Sequence, residues 1–169
     1  IKQPYNKCDE LTSCLELVNS RIQILEANPL RGLEYEENFK KTLFSSIPKK
    51  NVYLGMTKNK QKKDLNYHLN EVLQAPTLNV NNKILIYDGF RQHSAEEKGF
   101  IWFDTVSAKK IYVIRAFFYN DDKYIRDGMF LIFTKDFIGN EIPKEFYVDF
   151  NNWKDSNKLS KKILEKFIN

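Results

Sequence analysis

The most constraining feature of this sequence is a series of closely spaced segments between Gly99 and Phe150, rich in β-branched and aromatic residues. Period-two alternation with this composition favours β-strands over helices. Four strands are predicted, with the sequences GFIWFDT, KIYVIRAFFYN, GMFLIFTKDF and KEFYVDF. The connections at 106–110, 120–127 and 138–144 are shorter than the roughly dozen residues that a parallel crossover needs. Consecutive strands are therefore expected to be antiparallel.

The chain ahead of these strands predicts helices. Apolar residues recur at spacings of three and four over 9–27, 33–44 and 64–74, which gives each segment one apolar stripe. Asp64 is a suitable N-cap for the third helix, because its carboxylate can accept a hydrogen bond from a free backbone N–H of the first turn. The lysine-rich segment 49–63 is expected to be a loop.

A change of period after the third helix predicts a β-hairpin. The short apolar runs Thr77–Val80 and Lys83–Asp88 flank Asn81-Asn82, and asparagine tolerates the backbone conformation of a tight reversal. The hairpin is expected to extend the meander with extra strands. Gly89–Lys98 is expected to be a polar loop, and it contains Arg91, Gln92, His93, Glu96 and Glu97.

A last helix is predicted near the end of the sequence, with Asp155 or Ser156 as its cap and Leu159, Ile163 and Phe167 on its apolar side. Helices followed by strands are typical of the α+β class. The predicted fold is a single α+β domain spanning 1–169. In it, the N-terminal helices and the C-terminal helix pack on one face of an antiparallel meander sheet of about five or six strands.

Composition limits the functions that the chain can have. Lys and Arg number 27 and Asp and Glu number 22, an excess of five positive charges that is spread along the chain rather than massed. Such a spread indicates a solvated basic surface and argues against a nucleic-acid partner. No apolar run reaches the roughly 18 residues of a membrane-spanning helix, so no span is predicted. The six glycines form no phosphate-binding fingerprint.

Two cysteines, Cys8 and Cys14, are the only ones in the sequence. An even count confined to one place is typical of a local disulfide, which requires Cys8 to lie just outside the first helix and fold back. The alternative is two reduced thiols, with Cys14 on the apolar stripe of that helix. The sequence begins at Ile1, so either it was trimmed or a signal peptide was removed, and with a disulfide the second reading predicts a periplasmic or secreted protein.

Few catalytic or metal-binding patterns are present. The two histidines, His68 and His93, belong to no metal-binding motif, so no metal and no cofactor are predicted. No nucleophile-elbow motif occurs, and neither cysteine has a basic neighbour in sequence that would activate it. His68 falls beside the apolar stripe of its helix and is expected to be a partly buried, hydrogen-bonded side chain.

One enzymatic alternative is a small ribonuclease or toxin-like nuclease with its active site on an open sheet face. His93, Arg115, Tyr119 and Asp104 could position a phosphodiester and transfer protons there. The competing interpretation is that Arg115 forms a cross-strand ion pair with Asp104 or Asp149.

The preferred hypothesis is an exported, non-enzymatic protein that binds another protein, such as an immunity or inhibitor protein that neutralises its partner. The sheet face away from the helices would carry the contact residues, because aromatic side chains and arginine bury large areas at interfaces. The residues assigned to this face are Trp102, Arg115, Phe117, Tyr119 and Tyr147, with Leu131, Phe133 and Asp104 beside them. A small-ligand-binding α+β protein is a further alternative, and both a monomer and a homodimer stay open.

Overall fold

The computed structural model describes residues 40–54, 62–74, 76–119, 123–159 and 164–168. After a helical turn at 40–43, its elements in chain order are β1 (Asn51–Val52), β2 (Lys63–Asp64), α1 (Leu65–Glu71), β3 (Thr77–Asn81), β4 (Ile84–Arg91), β5 (Ser94–Asp104), β6 (Lys109–Tyr119), β7 (Lys123–Phe133), a short 3₁₀ turn (Gly139–Glu141), α2 (Lys144–Ser156) and β8 (Leu164–Ile168).

The main sheet has six strands in the order β3-β4-β5-β6-β7-β8, and β1 and β2 form a separate two-stranded ladder. Neighbouring strands from β3 to β7 are antiparallel, and β8 is parallel to β7. The predicted α+β class with an antiparallel meander is therefore confirmed. The predicted hairpin is also confirmed: β3 and β4 are joined through Asn82, which has φ 54°.

The predicted polar loop at 89–98 is wrong, because β4 and β5 continue through it as a long hairpin. Gly89 pairs with Gly99 and Phe90 with Lys98, and only Gln92 and His93 form the turn. His93 has φ 65°, the left-handed conformation that a tight reversal demands. Alternation continues across this stretch, but its polar composition hides the strands.

The predicted strand at 144–150 is wrong, because these residues begin α2. Phe146, Phe150 and Trp153 are all buried, and their spacings of four and three place them on one face of a helix. Val148, which the strand interpretation placed inside, is 59% exposed. Pro143 takes the N-cap position immediately before the helix, where its missing N–H is no loss.

The predicted C-terminal helix is wrong over the described residues 164–168, which form β8. The backbone of β8 pairs in parallel with β7, with Met129 opposite Leu164 and Phe133 opposite Ile168. A parallel neighbour needs a long crossover, and here α2 supplies it. Backbone pairing with β7 thus determines the conformation of these residues, although their apolar residues have helical spacing.

Both faces of the sheet carry a buried core, so the helices do not share one face as predicted. On the α1 side, Leu65, Leu69 and Val72 pack with the helical-turn residue Leu43 against inward residues of β4 to β7, a group we call the α1-side core. On the opposite face, Phe146, Phe150 and Trp153 of α2 cover a second group, the α2-side core, which contains Phe100, Trp102, Val113 and Phe130.

The third predicted helix is confirmed as α1. Asp64 is its N-cap, and its Oδ1 accepts a hydrogen bond of 2.7 Å from the Tyr67 N–H. Part of the predicted loop 49–63 is instead the β1–β2 ladder. The predicted helix at 9–27, the start of the helix at 33–44 and the predicted Cys8–Cys14 disulfide lie outside the described residues.

Candidate functional site

Three residues assigned to an open sheet face, Trp102, Leu131 and Phe133, are divided between the two buried cores. Trp102 is 1% exposed beneath α2, and its Nε1 donates a hydrogen bond of 2.9 Å to Asp149 Oδ2. Leu131 and Phe133 face the other way, into the α1-side core. The expectation that these three side chains form one exposed surface is therefore wrong.

The remaining aromatic positions do not restore that surface in the described part of the chain. Tyr147 lies on α2 rather than on a strand, and it is 39% exposed. The backbones of Phe117 and Tyr119 lie in β6, and their side chains fall outside the described part of the structure.

The four residues of the nuclease alternative are not brought together. His93 forms the β4–β5 turn next to Ser94, whereas Asp104 ends β5 at its opposite end. At about 3.3 Å per residue along the strand, these two ends are roughly 30 Å apart. Because of this distance, Asp104 cannot share a site with His93. Arg115 pairs with Lys98, which lies nearer to the His93 end of β5.

Among the described residues, neither Asp104 nor Asp149 forms the predicted cross-strand ion pair with Arg115. Asp104 lies 3.7 Å from Lys83, and Asp149 accepts the indole hydrogen bond described above. Arg115 Nη1 instead donates to the backbone carbonyl of Glu96. Arg115 is 7% exposed, and burial lowers its pKa while the nearby Glu96 carboxylate opposes that shift.

The geometry points to a different place, a cavity of about 310 Å³ between α1 and the end of the β4–β5 hairpin. Its apolar floor consists of Leu54, Val72, Ile114 and Ala116, all from the α1-side core. Its polar wall consists of Lys63, Tyr67, His68, Glu71, Arg91 and Glu97. We call this cavity the helix–sheet pocket.

Helix α1 supplies one side of the helix–sheet pocket. Tyr67 and Glu71 are four residues apart, as are His68 and Val72, so each pair lies along the same side of the helix. His68 is 8% exposed, and its Nε2 lies 2.7 Å from the carbonyl oxygen of Val52 in β1. Because a carbonyl only accepts, Nε2 carries the proton. The expectation of a buried, hydrogen-bonded His68 is confirmed.

The β4–β5 hairpin supplies an ion pair on the other side, in which the carboxylate is buried and the guanidinium side chain is partly exposed. Glu97 is 4% exposed, and its Oε2 accepts a hydrogen bond of 3.0 Å from Arg91 Nη1. Arg91 Nε also lies 4.0 Å from Glu71 Oε2 on α1. A buried carboxylate is costly unless it is paired, so this guanidinium holds Glu97 in place and links the hairpin to the helix.

A second contact fixes the distance between the hairpin and α1. The backbone N–H of Gln92, in the hairpin turn, donates a hydrogen bond of 2.8 Å to Gln74 Oε1 just after α1. Together with the Arg91–Glu71 contact, it attaches the hairpin end to the helix at two points. Arg91 and Glu71, which form the first of these contacts, also line the helix–sheet pocket.

The helix–sheet pocket combines an apolar floor with charged side chains of both signs. Among the described residues that line it, there is no serine, threonine or cysteine to act as a nucleophile. One lysine and one arginine in the lining balance two glutamates, so the formal charges cancel. In the same described ranges, no group of three or more His, Cys, Asp and Glu side chains could hold a metal ion.

Sequence reasoning missed Arg91 and Glu97 because it placed both in a loop. The available signal was the alternation on β5, where Glu97, Gly99, Ile101 and Phe103 occupy every second position and face α1. A carboxylate at an inward position of a strand is unusual and marks a site. That signal appears only when the strand is extended back to Ser94.

No family model matches this chain, and no match is found among curated proteins or among solved structures. Within the described residues, no helix is long and apolar enough to cross a membrane. A functional proposal for this protein therefore rests on the geometry of the pocket and on the sequence.

Proposed function

We propose that this protein is a non-enzymatic binding protein that holds a small, uncharged amphipathic molecule in the helix–sheet pocket. The observation that supports the proposal is an apolar floor beside a buried, ion-paired carboxylate within one cavity of about 310 Å³. Small-molecule sites are usually concave, mostly apolar and marked by a few fixed polar groups, with volumes upward of about 300 Å³.

Each part of the cavity contributes a separate component of recognition. Ile114 and Ala116 lie on a central strand and would contact the apolar body of the ligand. Glu71 is partly exposed beside Arg91, so the pair offers both an acceptor and a donor to the polar end of the ligand. A ligand without net charge suits a lining whose own formal charges cancel.

The test uses the neutral fluorescent probe N-phenyl-1-naphthylamine and the variant Ala116→Leu. The larger side chain would occupy part of the cavity that Ala116 borders, so the dissociation constant of the probe should rise at least about tenfold. Because overpacking can also cost stability, the urea midpoint of the variant is measured to confirm that it is folded under the binding conditions. Val148→Leu, on the exposed side of α2, is the control and should leave probe affinity within about twofold. Unchanged affinity in Ala116→Leu, or no binding to the unmodified protein, would refute the proposal.

Three further proposals rest on the sequence alone: export to the periplasm or outside the cell, a disulfide between Cys8 and Cys14, and binding of a partner protein in the manner of an immunity or inhibitor protein. The paired cysteines support the first two. Free thiols on both residues, found by mass analysis of protein from its native compartment, would count against the disulfide and against export.

A further inference from the structure

A second cavity, of about 480 Å³, lies on the same side of the sheet and has a different character. It is bounded by the segment between the helical turn at 40–43 and β1, by the start of α1, and by the residue two positions after β7. Its polar lining includes Lys49, Lys50 and Lys135. We call it the lysine pocket.

The lysine pocket has an excess of positive charge. Asp64 is the only carboxylate among its described lining residues, and its Oδ1 already accepts the capping hydrogen bond from Tyr67. In the described ranges, no carboxylate forms an ion pair with Lys49, Lys50 or Lys135, all of which are exposed. Like charges gathered without counter-charges repel one another, and a bound anion would relieve that repulsion.

A fourth lysine lies behind the wall of this pocket. Lys110 is 5% exposed, and its Nζ donates hydrogen bonds to Ser46 Oγ at 3.2 Å, to Ser45 Oγ at 3.4 Å and to the Ala108 carbonyl at 3.5 Å. Three acceptors around Nζ suit the three protons of an ammonium group. Burial lowers the pKa of Lys110, and Asp136 opposes that shift.

We propose that the lysine pocket binds the phosphoryl group of a small soluble phosphate ester. Lysine binds phosphate as a compact point charge, and three lysines around one cavity suit a phosphoryl group that carries more than one negative charge. The cavity is larger than a phosphoryl group alone, and Phe44 and Ile47 on its wall can contact the apolar part of an ester. Asn51 and Asn66 add amide donors at the rim.

The test measures binding of phenyl phosphate by calorimetry at low ionic strength, with inorganic phosphate in parallel. The variant K49Q/K135Q removes one lysine from each of two walls, and the control K144Q/K158Q removes two exposed lysines elsewhere. Phenyl phosphate should bind the unmodified protein more tightly than inorganic phosphate does. Its affinity should fall at least about tenfold in K49Q/K135Q and at most about twofold in the control, since exposed distant charges are screened.

Two results would overturn the proposal: no heat of binding to the unmodified protein, or equal losses in the two double variants, which would indicate only an effect of net charge. A phosphoryl group can also be carried by a lipid. Sedimentation with vesicles containing phosphatidic acid separates the two sources, because binding to vesicles without binding of phenyl phosphate would contradict a soluble ester. The helix–sheet pocket shares none of the substituted residues, so this test is independent of the function proposed above.

Discussion

Gly99 controls how closely α1 approaches the sheet, and its replacement gives a prediction that can be worked from distances. A Cβ added at Gly99 would lie 2.7 Å from Val72 Cγ2 and 2.9 Å from Leu73 Cγ, whereas ordinary contacts begin near 3.4 Å. Both atoms would have to retreat by about half an ångström or more, in a close-packed core. Overpacking of this kind costs roughly 1–3 kcal/mol, and the reduced freedom of the unfolded chain offsets about 0.5 kcal/mol.

The variant Gly99→Ala should therefore lower the free energy of unfolding by about 1–2 kcal/mol, measured by urea denaturation with an unchanged m-value. Val72→Ala alone should cost about 2 kcal/mol, because it removes two buried methyl groups. The double variant Gly99→Ala/Val72→Ala lacks the closest clash, because Val72 Cγ2 is gone. Its loss of unfolding free energy should therefore be at least about 1 kcal/mol smaller than the sum of the losses in the two single variants. A Gly99→Ala protein as stable as the unmodified one, or strict additivity, would refute this account of the helix–sheet spacing.

Two further predictions concern buried polar groups. Asp149→Ala leaves the buried indole N–H of Trp102 without its acceptor, so the free energy of unfolding measured with urea should fall by about 1–2 kcal/mol. Asp149→Asn retains an acceptor and should lower the free energy of unfolding by less than half as much. Equal losses in the two variants would contradict a role for the hydrogen bond. Burial raises the pKa of Tyr112, whose hydroxyl donates to the Leu43 carbonyl at 2.5 Å. The unfolded chain ionises this tyrosine near its ordinary pKa of about 10, so its contribution is complete below that pH and is lost as the pH rises further. Urea denaturation from about pH 8 to 11 should show a steeper loss than in Tyr112→Phe, and parallel profiles would contradict this origin.

The elements that the sequence predicted correctly are those with strong local signals. Asp64 and the apolar stripe after it define α1, and Asn81-Asn82 marks a hairpin at the right place. The central strands were recognisable because β-branched and aromatic residues fill both of their faces. Covering both faces requires a second layer, and the sequence assigned that layer wrongly.

In both errors at the end of the chain, the local spacing of apolar residues indicates the wrong element. Over 145–150 alone, Phe146, Val148 and Phe150 fit a strand, and the helical spacing emerges only when Trp153 is included. Residues 164–168 carry helical spacing, yet their pairing with β7 is decided by contacts distant in sequence. Reading α2 as a strand removes the layer that covers one face of the sheet. That face then looks open, and Trp102 looks like an exposed binding residue.

The candidate site was less accessible to prediction than the fold. A pocket depends on the distance between two elements, and here that distance is set by Gly99, by the Arg91–Glu71 contact and by the Gln92–Gln74 hydrogen bond. None of these contacts follows from local periodicity. The sequence did identify His68 as a buried polar side chain, because its position relative to the stripe of α1 is a local property.

The parallel strand β8 has a consequence for biosynthesis. β7 ends at Phe133, but the strand that completes it begins only at Leu164, after α2 has been made. A ribosome-bound chain that has not yet reached Leu164 leaves the outer edge of β7 without its partner, and exposed strand edges can pair with other chains. The nascent polypeptide therefore exposes a strand edge that β8 covers in the folded protein.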